Sequence, residues 1–276
     1  MRVYLFLMVL LSFSLSGCQF WSDSPPTPAT TLVQNVVSPI SPVTIPISPV
    51  ETPAEVEAVA TLAILTPVAD LTETWVKFKA ANGIELSGTL FGRGQTLVII
   101  LPAPGETEAD WANQAKTIAA QGFMVLNSNP ATQSNSTGVV DIDKVTAYIK
   151  AALQMAQEKG ATDHILLGVG ENGLVAVKAA AQTKPKAVVL FSTPLSSGDL
   201  ALTADDLEAI TGPKLFIDTE QSPTQAAAVQ MFEWSDSPKT WRFLPGAAQG
   251  ADMYNTDYSQ NLTDFVAAFF LLRLKE

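Results

Sequence analysis

The segment 71–276 predicts an α/β domain with a mostly parallel sheet and helices on both faces. Short β-branched apolar runs alternate along this segment with stretches of helical periodicity. The first two runs flank Asn82-Gly83, a dipeptide typical of tight hairpin turns, so we expect the sheet to begin with an antiparallel pair. The next run, Thr96–Leu101, is apolar throughout, as in strands that are buried on both faces of a parallel sheet.

The remaining elements are predicted in strand–helix order along a single domain. Strands are predicted at 75–78, 84–90, 96–101, 123–126, 164–169, 187–191, 214–218 and 240–244, because each is a short run rich in apolar residues. Helices are predicted at 108–121, 141–159, 172–182, 224–233 and 259–272, where apolar residues recur at helical spacing. Parallel strands joined through helices place the carboxyl ends of the strands at one edge of the sheet.

Composition and charge exclude several classes of function. The chain has 276 residues and a formal net charge of −11, and it contains no basic run, so we expect no nucleic-acid binding. With one cysteine and one histidine, it has neither a disulfide framework nor a cysteine or multi-histidine metal site. We therefore expect no metal and no other cofactor.

The first 18 residues have the pattern of an export signal. Met1 and Arg2 precede the apolar run 3–11, and small residues follow before Cys18. The apolar stretch is shorter than the roughly 20 residues that a membrane-spanning helix requires. Leu15-Ser16-Gly17-Cys18 resembles the bacterial lipobox, which implies removal of the signal peptide 1–17, acylation of Cys18 and an extracytoplasmic, membrane-anchored protein. The alternative is an ordinary signal peptide with a cysteine at this position by chance.

A proline-rich segment follows the predicted lipid attachment site. Nine of the 18 prolines lie between residues 19 and 70, and no Lys or Arg occurs between Arg2 and Lys77. Proline holds the backbone extended and removes N–H donors, so 18–70 is predicted to be the lipidated cysteine and a semi-rigid tether. Its apolar part, 56–65, either docks on the domain or belongs to the tether.

Three separated motifs, together with the order of elements, resemble the α/β-hydrolase superfamily. The motifs are Gly168-Val169-Gly170-Glu171-Asn172-Gly173, the segment 213–222 (PKLFIDTEQS) and Pro245-Gly246-Ala247-Ala248-Gln249-Gly250. The resemblance is greatest to the small dienelactone-hydrolase-like esterases, which implies an α/β-hydrolase-like fold without a lid domain. In that family, the first motif carries the nucleophilic serine on a strand-to-helix turn, the second delivers the acid, and the third carries the histidine base.

The matching positions of this chain lack that chemistry. Gly170 stands in place of the nucleophile and has no side chain, and Gln249 stands in place of the base with an amide that does not titrate. The acid position matches Ser222, although Asp218 and Glu220 lie close enough that a shifted carboxylate is possible. The only histidine, His164, begins the strand that leads to Gly170, roughly 20 Å away, and is predicted to be structural.

Other features of the cleft are predicted from the same motifs. The remnant of an oxyanion hole would use the N–H groups of Glu171 and Ala103, since the prolines beside Ala103 have none. The carboxylate of Glu171 favours neutral or cationic ligands in any remaining pocket. Asn172 is predicted to cap the helix that follows.

The leading hypothesis is a catalytically degenerate domain that binds a small ligand or a protein partner. Loss of the nucleophile or the base of such a triad costs about 10⁶ in turnover, which opposes an ordinary esterase mechanism. The alternative is an esterase-like hydrolase with a displaced catalytic set, drawn from Asp218, Glu220, Glu171 or a serine at the rim such as Ser192 or Ser196. A purely structural envelope protein is the third possibility.

Overall fold

The computed structural model describes residues 71–128 and 142–273. The predicted signal peptide 1–17, the lipid attachment site Cys18 and the tether 18–70 lie outside the described residues. Among the residues that are described, no helix is long and apolar enough to cross a membrane.

The described strands are β1 Glu73–Lys79, β2 Glu85–Phe91, β3 Thr96–Leu101, β4 Met124–Asn127, β5 Asp163–Val169, β6 Ala187–Phe191, β7 Ser196–Ser197, β8 Leu200–Ala201, β9 Lys214–Thr219 and β10 Lys239–Leu244. Eight of these ten form one sheet, in the spatial order β1-β2-β4-β3-β5-β6-β9-β10. The first two strands pair antiparallel, β2 also pairs antiparallel with β4, and the other pairs of this sheet are parallel. This topology confirms the predicted α/β fold, including its N-terminal hairpin.

Helices connect the strands, and all five of the predicted ones are present. They are α1 Glu108–Ala119, α2 Ile142–Gln157, α3 Glu171–Thr183, α4 Ala204–Glu208, α5 Gln225–Trp234 and α6 Ser259–Arg273, with a 3₁₀ helix at Gly250–Asn255. The short helix α4 and the two-residue pair β7–β8 were not predicted, because they are too short to show periodicity. A capping box between Thr203 and Asp206 starts α4.

Two apolar cores cover the two faces of the sheet. Alternate residues of β3 enter different cores: Leu97 and Ile99 pack with α2 and α3, whereas Val98 and Ile100 pack with α1 and α6. All four of these side chains are fully buried. The uninterrupted apolar sequence of β3 is therefore explained by helices on both faces, as predicted.

Helix α3 lies unusually close to the sheet, because two glycines leave room for it. A Cβ on Gly173 would stand 2.0 Å from Oγ1 of Thr193, just after β6. A Cβ on Gly168, in β5, would stand 2.7 Å from the Cα of Gly173. These contacts fix where α3 begins, immediately after the end of β5.

The only histidine lies at the other end of β5. His164 is 8% exposed, and its Nε2 has no hydrogen-bond partner among the described residues. Burial lowers the pKa of the imidazole from its usual 6.5 to about 4, although the nearby Asp163 carboxylate acts in the opposite direction. Gly170 directly follows the far end of the same strand, so His164 has no contact with the region around it.

We expect His164 to make the domain sensitive to mild acid. Because the folded-state pKa lies below the unfolded value, the contribution of neutral His164 is complete above pH 6.5 and is lost as the pH falls towards about 4. Between pH 7 and pH 5, the loss in the free energy of unfolding should be smaller in His164→Leu than in the wild type, by about 1 to 2 kcal/mol. Urea unfolding at both pH values measures this difference. The two proteins carry the same carboxylates, so an equal loss in both would assign the acid sensitivity to other groups.

Candidate functional site

The backbone turns sharply from β5 into α3 at Gly170. This residue has φ 54° and ψ −133°, a conformation that strains residues with a side chain. Its N–H donates to the carbonyl of Phe191 at 2.9 Å, and its own carbonyl accepts from the N–H of Gly173 at 3.0 Å. A Cβ placed on Gly170 would stand 3.1 Å from that of Ala103. A side chain at position 170 would therefore project towards the loop that follows β3.

Asn172 joins the same loop to the turn, which corrects its predicted role as a helix cap. The N-terminal cap of α3 is Gly170, and Asn172 lies inside the helix with only 2% of its surface exposed. Its Nδ2 donates to the carbonyl of Pro102. The amide side chain thus fixes the distance between the turn and the loop after β3.

The structure brings together Gln249 and Ser222, which the sequence motifs predict to stand at the base and acid positions. Nε2 of Gln249 donates to Oγ of Ser222 at 3.2 Å and to Oγ1 of Thr224 at 3.1 Å. The two hydroxyl oxygens lie 2.7 Å apart. A primary amide makes these bonds in one charge state only, so nothing in this trio takes up or releases a proton near neutral pH.

A buried carboxylate lies directly behind this trio. Asp218, near the end of β9, is fully buried. One of its oxygens accepts from Oγ1 of Thr224 at 2.8 Å, and the other accepts from the N–H of Thr219 at 2.9 Å and from Oγ of Ser192 at 3.4 Å. The hydroxyl of Thr224 therefore links Asp218 to Gln249. Glu220, the other carboxylate considered near this strand end, is exposed.

The two rim serines are placed differently from each other. Ser192 follows β6 with φ 44° and is 4% exposed. Its hydroxyl donates to Asp218 and accepts the N–H of Gly250 at 3.2 Å, so it links β9 to the loop that carries Gln249. Ser196 is exposed in the short strand β7.

Sequence reasoning missed Glu106, whose carboxylate organises the loop after β3. One oxygen accepts from the N–H of Ala103 and from Nε1 of Trp111, both at 2.8 Å. The other oxygen accepts from the N–H of Ala251 at 2.7 Å. The Ala103 N–H, predicted to be an oxyanion-hole remnant, thus donates to a carboxylate of the chain itself. The N–H of Glu106 also donates to the Ala103 carbonyl at 3.0 Å, which closes the turn, but the sequence contains no pattern that identifies this role.

The charges at this site are negative or neutral. Glu171 is the first residue of α3, is half-buried and stands next to Gly170. The carboxylate of Asp218 is satisfied by two hydroxyls and one N–H, all of them neutral. Within 71–128 and 142–273, no group of three His, Cys, Asp or Glu residues is placed to hold a metal ion. The arrangement offers hydrogen-bond donors and acceptors, but the turn carries no nucleophile.

We expect removal of the Glu106 carboxylate to destabilise the domain. Glu106→Ala leaves three N–H donors without their acceptor, so the free energy of unfolding should fall by about 2 to 4 kcal/mol. Glu106→Gln, which keeps one acceptor oxygen, should lose less. Urea unfolding measures the change, and Glu220→Gln, at an exposed carboxylate, is the matched control with a change within about 0.5 kcal/mol. A Glu106→Ala protein as stable as this control would mean that water satisfies the three donors.

Comparison with known proteins gives structural but not sequence relatives. No protein-family model matches the sequence. No curated protein matches it either. An esterase domain from Rhodothermus marinus is similar over 72% of this chain and 98% of its own, with 15% identity and a TM-score of 0.56.

Two further solved structures are similar to the same extent. Est1E from Butyrivibrio proteoclasticus matches over 73% of this chain and 99% of its own, with 18% identity and a TM-score of 0.60. A dienelactone hydrolase from Anabaena variabilis matches over 74% of this chain and 99% of its own, with 16% identity and a TM-score of 0.60. Together with the strand order, these likenesses show that the chain has the α/β-hydrolase fold.

Proposed function

We propose that this chain is an extracytoplasmic lipoprotein whose α/β-hydrolase-fold domain binds a ligand or a protein partner and does not hydrolyse esters through a serine triad. One observation carries the proposal: Gln249 donates to Ser222 and Thr224 beside a turn at which Gly170 has no side chain. At the three positions predicted for a triad, this chain thus has groups that neither attack a carbonyl nor accept a proton near neutral pH, which supports the proposal.

The size of the expected loss in turnover favours a binding function over a catalytic one. In an enzyme of this kind, loss of the nucleophile or of the base costs about 10⁶ in turnover, and the binding and oxyanion contributions that remain give only 10³ to 10⁴ over water. Here the oxyanion contribution is reduced as well, because the N–H of Ala103 donates to Glu106. What is left is a set of polar groups in a fixed arrangement, which suits recognition.

The competing function is an esterase-like hydrolase with a displaced catalytic set, and the named activities of the similar solved structures favour it. Two of its candidate groups are engaged elsewhere. Asp218 is fully buried, and its carboxylate accepts hydrogen bonds from three neutral donors. The buried hydroxyl of Ser192 donates to Asp218 and accepts the N–H of Gly250. Glu171 is half-buried beside the turn and has no imidazole to orient.

The charge at the site indicates the class of ligand. Glu171 lies next to Gly170, Glu106 lies beside Ala103, and the whole chain carries a formal charge of −11. An anionic ligand would meet repulsion both at the site and at long range. We therefore propose a neutral or cationic ligand.

We propose a lipid anchor at Cys18, because Leu15-Ser16-Gly17-Cys18 resembles the bacterial lipobox. Acyl chains on Cys18 would hold the chain at a bacterial membrane, and the proline-rich segment would separate the domain from the lipid surface. Since the domain is acidic, its own contact with anionic lipid is unfavourable, so the acyl chains would be the means of attachment.

Restoring the triad tests the catalytic part of the proposal. The proteins begin at Gln19 and so keep every described residue. With p-nitrophenyl acetate and butyrate, we expect the wild type to hydrolyse at the buffer rate. We expect Gly170→Ser, Ser222→Asp and Gln249→His together to exceed that rate by about tenfold or more, because nucleophile and base each contribute orders of magnitude.

The matched control is the double variant Ser222→Asp with Gln249→His, which keeps Gly170 and should stay at the buffer rate. Wild-type turnover well above background would contradict the proposal and favour the displaced catalytic set, and Ser192→Ala would then identify its nucleophile. A folded but inactive triple variant would mean that positions 170, 222 and 249 do not have the geometry of a catalytic triad.

Replacing the cysteine tests the anchor. In a bacterial host, we expect the full chain to incorporate labelled fatty acid and to sediment with the membrane fraction. Cys18→Ala should take up no label, since the chain has only one cysteine. A matched variant, Ser14→Ala, keeps the cysteine and should behave as the wild type does. An unlabelled wild-type chain would contradict lipidation while leaving the catalytic proposal intact.

A further inference from the structure

The last strand of the sheet, β10, has one free edge. It pairs with β9, and no other strand among the described residues lies beside it. The carbonyls of Pro238 and Leu244 accept N–H groups from Lys214 and Glu220, on the β9 side, at 3.1 and 2.8 Å. Because the direction of backbone groups alternates along a strand, the N–H and C=O groups of Lys239, Trp241 and Phe243 face away from the sheet.

An aromatic surface accompanies these outward-facing backbone groups. Trp241 is 50% exposed, and its ring centre lies 4.6 Å from that of Phe243 and 5.9 Å from that of Phe232 in α5. Nζ of Lys239 lies 4.6 Å from the Phe232 ring centre and donates to the Phe232 carbonyl at 2.8 Å. One face of β10 thus offers an apolar platform beside backbone groups that no other described strand pairs with.

The opposite face of β10 carries a positive charge. Arg242 is exposed, and its guanidinium lies 5.5 Å from the centre of the Phe265 ring in α6. Neither Arg242 nor Lys239 forms an ion pair with a carboxylate in the described part of the chain. The strand itself contains two basic residues and no acidic one, in a chain of net charge −11, and Asp236 is the nearest carboxylate before it in the sequence.

The other edge of the sheet is different. Trp75 in β1 is 58% exposed, and two of the three charged residues of that strand are paired. Glu73 bonds to Lys116 at 3.3 Å, and Lys79 bonds to Glu85 at 3.5 Å. Lys77 is exposed and forms no ion pair in the described part of the chain. In β1, one basic side chain thus has no carboxylate partner, whereas in β10 both basic side chains have none.

We propose that the edge of β10 binds an extended peptide segment in which apolar and acidic residues alternate. The segment would add to the sheet as a further strand, with its backbone bonded to Lys239, Trp241 and Phe243. Side chains of an extended segment alternate between faces, so its apolar residues would contact Trp241 and Phe243 while its acidic residues would face Arg242. A second copy of the chain is disfavoured as the occupant, because its own β10 contains no carboxylate that could face Arg242. The surface excludes Gly170, Ser222 and Gln249, so the proposal does not depend on whether the domain catalyses a reaction.

Binding of designed peptides to the chain that begins at Gln19 tests the proposal. The probe is a blocked octapeptide of alternating Val and Glu, titrated calorimetrically, with alternating Val and Lys as the charge control. We expect the Glu peptide to bind at least about tenfold more tightly. Two further Glu peptides carry backbone N-methyl groups on either all Val or all Glu residues. Only one of these two should lose binding, because alternate N–H groups of an added strand face β10.

Variants of the chain locate the site. Arg242→Glu should weaken binding of the Glu peptide by about tenfold or more and should strengthen binding of the Lys peptide. Trp241→Thr should weaken both, whereas Trp75→Thr, at the exposed tryptophan of the other edge, should leave them unchanged. Circular dichroism confirms that each variant is folded.

Four outcomes would overturn the proposal: no binding of the Glu peptide, equal affinity for the Glu and Lys peptides, loss of binding with both or neither N-methyl series, or unchanged binding in Trp241→Thr. Sedimentation at the same protein concentrations adds a fifth. A dimer that Trp241→Thr dissociates would assign this edge to a second copy of the chain instead.

Discussion

Gly170 turns the chain from β5 into α3 within a single residue, and the candidate site depends on that turn. The turn is tight because α3 lies against β5 and β6 at a separation that only glycine at 168 and 173 allows. This close packing directs position 170 towards Ala103, and Asn172 bonds to the carbonyl beside it. The backbone conformation therefore follows from how α3 packs, and it persists whether or not position 170 carries a reactive side chain.

A network of neutral donors holds the other half of the site. Asp218 bonds to Thr224, which contacts Gln249, and Ser192 joins Asp218 to the loop after β10 through the N–H of Gly250. In an acyl-transfer site, an imidazole at the Gln249 position would have to change charge during each cycle. An amide keeps one charge state, so the loop geometry does not depend on protonation near neutral pH. A fixed polar surface is what a binding site requires, because preorganised groups lose little entropy when a ligand arrives.

Local patterns predicted the elements, but the contacts between distant residues were not predictable from them. The strands 96–101 and 187–191 match the observed bounds, because apolar runs in a parallel sheet are buried on both faces. Asn172 was assigned to a cap since polar residues near a helix start usually have that role, and only the fold reveals the Pro102 carbonyl beside it. Glu106 was missed for a similar reason: an acidic residue in a loop has no periodic pattern, and its partner Ala251 is 145 residues away.

The two proposed binding surfaces would favour ligands of opposite charge, and screening by salt allows both on one acidic chain. Around Gly170, the carboxylates of Glu106 and Glu171 agree in sign with the net charge of −11, so the local and long-range fields both favour neutral or cationic ligands. At β10, the basic groups Lys239 and Arg242 oppose the field of the whole chain. Salt at 0.1 to 0.15 M screens charges beyond about 8 to 10 Å, which removes most of the long-range repulsion of an acidic segment while leaving contact pairs largely intact. The proposed recognition at β10 would therefore depend mainly on the few charged and aromatic groups of that strand.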